Sequence, residues 1–320
     1  MENIDHVYVI NLEKDVERRQ AILKQCSTLL INPTIVSAIL GKDLTTEEIK
    51  ANCTFGCQLF CTHSMIGCAM SHIICWKNVI ANGDRYALIL EDDAVFVDGF
   101  LEKFKEIWAK VPDDVDMLYL GCTVGCSIKQ KKYNMLNVFN KNRNEFRFVN
   151  DSVYVPELPL SSHAYVITNK GARLLLKEIE GKIETHLDFQ IGAHITNVVK
   201  YAVEPQLIVQ HKDSGKSTMA SAYPRLLTKP LDYVLNEDNE PYGYILTVPF
   251  FEVLSYPVSL YSLILIVVGA VFDLRVVTGL FLIENFIELM IKPSWDTVKM
   301  MIGAYCCILL GFWVRRLVYP

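Results

Sequence analysis

The sequence predicts an α/β body followed by an apolar helical tail, and three observations carry that expectation. A strand-like run, Ile4 to Leu12, feeds a helix-like run, Glu13 to Gln25, which is how an α/β sheet opens. A second apolar run, Ala87 to Leu90, has the length of a buried strand and ends in three consecutive carboxylates, Glu91, Asp92 and Asp93. Long charge-free stretches, by contrast, occur only after about residue 250.

A chain of 320 residues suggests about two domains, one of them large enough for a substantial core. Hydrophobic residues make up 51%, and the mean hydropathy of +0.24 is high for a soluble protein. The uneven distribution assigns the excess to the tail, so we place a body at 1–240 and a hydrophobic helical tail at 241–320. A formal charge of −5 gives no overall basic surface, and nucleic acid is not an expected partner.

In chain order, Asn11 sits where the first strand hands over to its helix, the edge at which such sheets bind ligands. Arg18 or Arg19 reaches a phosphate or carboxylate from that helix, or is an ordinary surface arginine. Thr34 to Leu40 is a second short apolar run, and Thr45-Thr46-Glu47-Glu48 reads as a capped helix start. The stretch from Gly67 to Ile80 reads as a helix with Met70, Ile73, Ile74 and Ile80 on its apolar side and Ser71 and His72 on its polar side. No basic region or apolar signal core opens the chain, which predicts free thiols in a cytosolic domain. Cys57, Cys61, Cys68 and Cys75 follow helical steps of four and seven and read as packed small side chains; a zinc site using them with His63 or His72 is the alternative.

The acidic triplet is the organising feature. Acids at the edge of an apolar sheet repel one another and lose hydration, so a cation is expected to neutralise them. Alternation along an extended chain puts Glu91 and Asp93 on one face with Asp92 turned away, and hard oxygen donors suit Mg²⁺ or Mn²⁺. A solvated turn is the plain alternative. Beyond it come a helix from Phe100 to Lys110, a strand from Asp116 to Gly121, a strand from Tyr165 to Thr168 and a helix from Asn169 to Glu180. Residues 122–160 read as a long polar loop or as a surface for acceptor or lipid head groups, with Lys129, Lys131, Lys132, Lys141, Arg143 and Arg147 among Tyr133, Phe139, Phe146 and Phe148. The strand Leu207 to Val209 runs into His211, which leaves a sheet edge as the acids do and is a further metal candidate, while Lys212 or Lys216 could meet phosphate.

Several motifs stand in a telling order: Val9-Ile-Asn-Leu12 with Arg18-Arg19, Gly67-Cys-Ala-Met-Ser-His72, Trp76, Ala87-Leu-Ile-Leu-Glu-Asp-Asp93, Leu118-Tyr-Leu-Gly121, Ser162-His-Ala-Tyr-Val-Ile-Thr168 with Gly171-Ala172, and Leu187-Asp188. Together they resemble glycosyltransferase family 25 over roughly residues 4–220. That family includes bacterial lipooligosaccharide galactosyltransferases and collagen galactosyltransferases. The resemblance implies a GT-A type nucleotide-sugar-binding fold with a mixed, mostly parallel sheet, a UDP-sugar donor, Mn²⁺ or Mg²⁺, and inverting transfer of galactose or glucose to a glycan, lipid-linked or protein hydroxyl. The expected donor-binding residues are Asn11, Arg18, Arg19, Ser71, His72, Glu91 and Asp92, and the expected metal ligands are Asp93, Glu91 and His211. An inverting transfer needs a carboxylate to take the acceptor proton, and Asp188 is the candidate base, with a helix cap as its structural alternative. Where relatives tend to carry an acid before a glycine, this chain has Ala38-Ile39-Leu40-Gly41, a departure that bears on donor identity.

The tail carries no charge from Val253 to Phe272 and again from Met300 to Val314, and the two stretches read as membrane spans. Glu284 and Glu288 on the intervening helix favour an interfacial or protein-facing position. A two-span hairpin, with Arg315-Arg316 and the lysines before the tail on one side, places the body in the cytosol. A buried helical subdomain is the soluble alternative. A different class, a catalytically silent domain that binds sugar nucleotide or a partner in membrane assembly, is distinguished by the absence of donor turnover. A nucleotidyltransferase is disfavoured because no glycine-rich triphosphate loop lies near the N-terminus.

Overall fold

The computed structural model describes residues 3–122, 141, 145–210, 223–228, 246–247, 249–254, 256–291 and 293–318. His211, Lys212 and Lys216, and Lys129, Lys131, Lys132, Tyr133, Phe139 and Arg143 of the basic loop, lie outside the described residues. The chain divides into two compact units, one of Met1–Gln58 with His63–His211 and one of Leu59–Thr62 with Lys212–Pro320.

The first unit is built on an eight-stranded sheet in the order β2-β1-β3-β8-β5-β9-β7-β6. These strands are β1 (His6–Asn11), β2 (Thr34–Ser37), β3 (Tyr86–Glu91), β5 (Met117–Tyr119), β6 (Arg147–Phe148), β7 (Val153–Val155), β8 (Ala164–Thr168) and β9 (Lys200–Val203). A separate pair, β4 (Ala94–Phe96) and β10 (Ile208–Gln210), runs antiparallel beside it. β1 is parallel to β2 and β3, and β5 to β9, while β8 and β7 run against their neighbours, so the sheet is mixed and mostly parallel. The fold is therefore α/β, as the strand-to-helix opening predicts.

The helices follow the pattern of the apolar residues. They are α1 (Val16–Thr28), α2 (Thr46–Asn52), α3 (Phe55–Phe60), α4 (His63–Asn82), α5 (Phe100–Trp108), α6 (Asn169–Ile179) and the single turn α7 (Leu187–Phe189). Thr45 and Glu48 form a reciprocal capping box at the start of α2, where the sequence places one. One face of the sheet packs Val7, Val9, Leu88, Leu90, Leu118 and Val166 against Ile22 of α1 and Phe100 and Phe104 of α5.

Two expectations for this unit are corrected. Ser71 and His72 do not face solvent from α4; they are 1% and 0% exposed. Burial is possible because each finds partners: Ser71 Oγ donates to Gly67 O at 2.7 Å and accepts from Ile39 N–H at 2.8 Å, and His72 meets Tyr165. The cysteines are not all free thiols either. Cys57, Cys61 and Cys122 are disulfide-bonded, whereas Cys26, Cys53, Cys68, Cys75, Cys306 and Cys307 are free. Helical spacing alone does not separate a packed thiol from a bonded one.

In the second unit the charge-free stretch from Val253 is not one helix. An antiparallel hairpin, Phe251–Val253 with Tyr256–Val258, turns through Leu254 at φ 50° and precedes a helix of only 12 residues, Leu260–Val271. At about 1.5 Å per residue that helix covers roughly 18 Å, short of a bilayer core of about 30 Å. Among the described residues one helix, Trp295–Val318, is long and apolar enough to cross a membrane. Many of the tail's large apolar side chains point outward, Phe286 at 67%, Met290 at 72% and Leu317 at 61% exposure among them. Glu288 is buried and accepts the backbone N–H of Leu226, so the acids of the middle helix serve a protein contact in part.

Candidate active site

The site forms where β1 and β3 end together. Parallel pairing puts Ile10 opposite Glu91, so Asn11 and the acidic triplet arrive at one edge. Asn11, 2% exposed, donates from Nδ2 to Asp92 Oδ2 at 2.7 Å and to Asp15 O at 3.1 Å. Arg18 from α1 completes the arrangement, with one guanidinium nitrogen 3.0 Å from Asp92 and 2.5 Å from Asp93. No hydrogen bond or ion pair joins Arg19 to these acids among the described residues.

The charge on the triplet is thus divided between two neighbourhoods. Asp92 turns to β1 and Arg18; burial pushes its carboxyl up to about 6, with Arg18 and Asn11 pulling the other way. Asp93 is also raised, by burial and then by Glu91, against Arg18 and the hydrogen bond that Gln210 donates at 3.0 Å. The β4–β10 pairing sets that last contact, because Gln210 lies opposite Ala94. Glu91 behaves differently. Burial works against its charge, but the adjacent His72 imidazole and the Ser162 hydroxyl, which donates at 2.9 Å, outweigh it and hold the carboxyl down to about 2.

The opposite wall comes from α4 and β8. His72 Nδ1 lies 2.9 Å from Tyr165 Oη, to which Trp76 Nε1 also donates at 2.8 Å, and the His72 and Tyr165 rings stack. His72 Nε2 stands 3.5 Å from Glu91 Oε1 and has no hydrogen-bond partner. One turn earlier on α4, Cys68 adds a thiol that burial pushes well up, helped by Glu91, Asp188 and Asp93. Asp188 is carried by α7, which packs against α4.

β8 enters this edge from the reverse direction, so its leading residues, Ser162 and His163, arrive where β3 ends. His163 is buried against Ser161 and lies 3.3 Å from the Ile208 carbonyl. Gly121 permits the close approach: a Cβ there would stand 1.8 Å from Ile208 O and 2.5 Å from His163 Nε2. Asp188 lies inside α7, whose N-cap is His186, so it does not cap that turn. Its Oδ1 is buried with no hydrogen-bond partner, and His186 stands 4.0 Å from its other oxygen. The residues after that turn are braced by Lys200, whose Nζ donates to Ile191 O at 2.6 Å and Ile195 O at 2.5 Å; burial lowers that ammonium to about 7.

Asn11, Arg18, His72, Glu91, Asp92, Asp93 and Asp188 therefore share one neighbourhood, while Ser71 ties α4 to the Ile39 backbone. Ser162, Tyr165 and Gln210 are not among the site residues expected from the sequence, where Cys68 reads as one of a packing series or, alternatively, as a zinc ligand with His63 or His72. The i, i+4 spacing of Cys68 and His72 was the available signal. Glu91 and Asp93 supply hard oxygens of the kind a divalent cation takes, and Asp93 Oδ1, Asp188 Oδ1 and His72 Nε2 are buried without hydrogen-bond partners.

Residues 4–191 match the family model described as glycosyltransferase family 25 (LPS biosynthesis protein). The chain is 27% identical over 150 residues to procollagen galactosyltransferase 2 of Mus musculus, covering 42% of this chain and 23% of that protein. A glycosyltransferase 25 family member of Anopheles gambiae is 25% identical over 191 residues, 55% of this chain and 29% of its own length. The inactive glycosyltransferase 25 family member 3 of Mus musculus is 28% identical over 131 residues, 37% of this chain and 22% of that protein. The matched region spans less than a third of each of these relatives.

Proposed function

The chain belongs to glycosyltransferase family 25, and from that membership we propose that it transfers a hexose, galactose or glucose, from a UDP-sugar to a hydroxyl of a glycan, lipid-linked or protein acceptor, with inversion. The observation that carries the reading is the unpartnered, buried Asp188 Oδ1 near Glu91 and Asp93. A carboxylate with a free oxygen in a shielded site is suited to take the acceptor's proton as its oxygen attacks the sugar carbon. Mn²⁺ or Mg²⁺ held by Glu91 and Asp93 would offset the charge growing on the leaving diphosphate. Arg18, 27% exposed and beside Asp92 and Asp93, is the side chain suited to exchange those carboxylates for a donor phosphate. Asn11 holds Asp92 in place for that exchange.

The test is turnover of a panel of UDP-, GDP- and CMP-sugars by the full chain in detergent, with Mn²⁺ and with chelator. Metal-dependent hydrolysis or transfer from one UDP-sugar, lost in Asp93→Ala, is the expected result. A folded chain that binds donor but turns none over would support the second reading, a silent sugar-nucleotide-binding member, which the inactive relative's name favours.

The tail serves as a membrane anchor in this reading. With one span, Arg315-Arg316 at one end are matched in the sequence by Lys292 and Lys299 at the other, so basic residues do not set its direction. The disulfide-bonded Cys57, Cys61 and Cys122 favour a body outside the cytosol, since such bonds persist in oxidising compartments. That argument runs against the cytosol-facing body that two spans imply. In sealed vesicles the body should resist added protease until detergent is present; cleavage without detergent would restore the cytosolic orientation.

A further inference from the structure

We infer that Cys68, His72 and Glu91 form a binding site for a zinc-class divalent cation, centred away from Asp93 and sharing Glu91 with the oxygen-donor position there. The ligand atoms of these three side chains all lie within 4.8 Å of one another, and Cys68 is a free thiol. Around one ion with bonds of about 2.0–2.3 Å at tetrahedral angles, such atoms would sit roughly 3.3–3.6 Å apart. The His72–Glu91 pair already stands at 3.5 Å, so only the sulfur must close in.

Several independent features point the same way. Cys68 and His72 are one helical turn apart on α4, a rigid element, and Glu91 ends the adjoining strand. His72 is 0% exposed, yet its Nε2 has no hydrogen-bond partner. A buried imidazole nitrogen that reaches its neighbouring carboxylate only at 3.5 Å, with a thiol beside both, is an arrangement that a metal ion would complete. Its other nitrogen faces Tyr165 Oη, and that oxygen also receives Trp76 Nε1–H. Metal binding calls for the tautomer in which Nδ1–H donates to the phenolic oxygen and leaves the Nε2 lone pair for the ion. Ser162 holds Glu91 from the other side.

The donor set decides the class of ion. A thiolate, an imidazole and one carboxylate suit zinc and its relatives, whereas Mg²⁺ and Mn²⁺ take oxygen-rich sites. Asp93 is engaged by Arg18 and Gln210 and stands outside the triad. Three protein ligands leave a fourth position open to an exogenous oxygen, water in the absence of substrate. If the transferase reading holds, an oxygen of the donor diphosphate is the natural occupant; the metal site itself does not depend on that reading.

The experiment uses the full chain in detergent, stripped with chelator and titrated with Co²⁺ as a spectroscopic substitute for zinc, without sugar donor. One equivalent should bind and produce both visible ligand-field bands and a near-ultraviolet sulfur-to-cobalt band, all removed by Zn²⁺. Cys68→Ser should abolish the sulfur band and weaken binding by at least about tenfold, the effect expected even for a supporting residue of a metal site. Asp93→Ala should keep the band. A cobalt complex lacking the sulfur band, a band that survives in Cys68→Ser, or a band lost only in Asp93→Ala would overturn the assignment. X-ray absorption of the wild-type zinc form avoids reliance on variants: a sulfur neighbour at about 2.3 Å supports the triad and a purely oxygen and nitrogen shell refutes it. Failure of donor turnover with an intact sulfur band would count against the transferase alone.

Discussion

Asp188→Asn should lower the rate of sugar transfer by about 10²- to 10⁴-fold, the range associated with loss of a positioned general base. The substitution keeps the shape of the side chain and removes only its capacity to accept a proton. Because Asp188 Oδ1 has no hydrogen-bond partner to lose, fold stability should change little. Donor affinity should also be preserved, since Arg18 and the acidic triplet are untouched. The loss therefore belongs in kcat rather than in the donor KM. Steady-state transfer measured alongside donor binding separates the cases. Wild-type transfer rates would remove Asp188 from the reaction, and a parallel collapse of donor binding would reassign it to the donor pocket.

The second large effect concerns Arg18→Met. Arg18 answers two carboxylates at once, and its side chain is 27% exposed while those of Asp92 and Asp93 are 8% and 18% exposed. Breaking a largely buried pair by removing one partner costs about 3–5 kcal/mol, and the partial exposure of Arg18 favours the lower figure. The sign of the pH dependence follows from Asp92, which is raised in the folded protein to about 6, against about 3.9 in an unfolded chain. A carboxyl raised on folding binds its proton more tightly when folded, so stability falls as pH rises through that interval and stays low above it. Without Arg18 the folded-state values of Asp92 and Asp93 rise further, and the deficit relative to wild type should be largest near pH 8 and shrink towards pH 5. Thermal melts of both proteins across that range are the check. A deficit of equal size at both ends would mean that lost packing of the arginine stem, rather than unpaired charge, is responsible.

Much of the body was legible because its signals are local. The run Ala87 to Leu90 is apolar enough to be a buried strand, and the acids after it mark its end without help from the rest of the chain. Thr45 and Glu48 announce their capping box in four residues. What stayed hidden depends on partners distant in sequence. Nothing near His72 indicates that Tyr165 and Trp76 will share a hydroxyl with it, so a polar face was the natural reading of a buried one. Arg18 and Arg19 are chemically alike, and only the phase of α1 against the strand ends selects Arg18. Cys57 and Cys68 follow the same spacing, yet one is bonded and the other free. In the tail, freedom from charge is shared by a hairpin, a short helix and a long one, and hydropathy alone does not divide them.

The reversed course of β8 between β3 and β5 has an evolutionary implication. Strands that all point one way bring only their trailing ends to a site, so each change there risks the loop that starts the next helix. Here one central strand delivers its leading end, and Ser162 and His163 are inherited from the segment upstream of it. Insertions or deletions at 156–161, between β7 and β8, therefore alter what borders that edge while the paired strands keep their register. A lineage can remodel the edge by varying that one segment, and a designer can do so by grafting it.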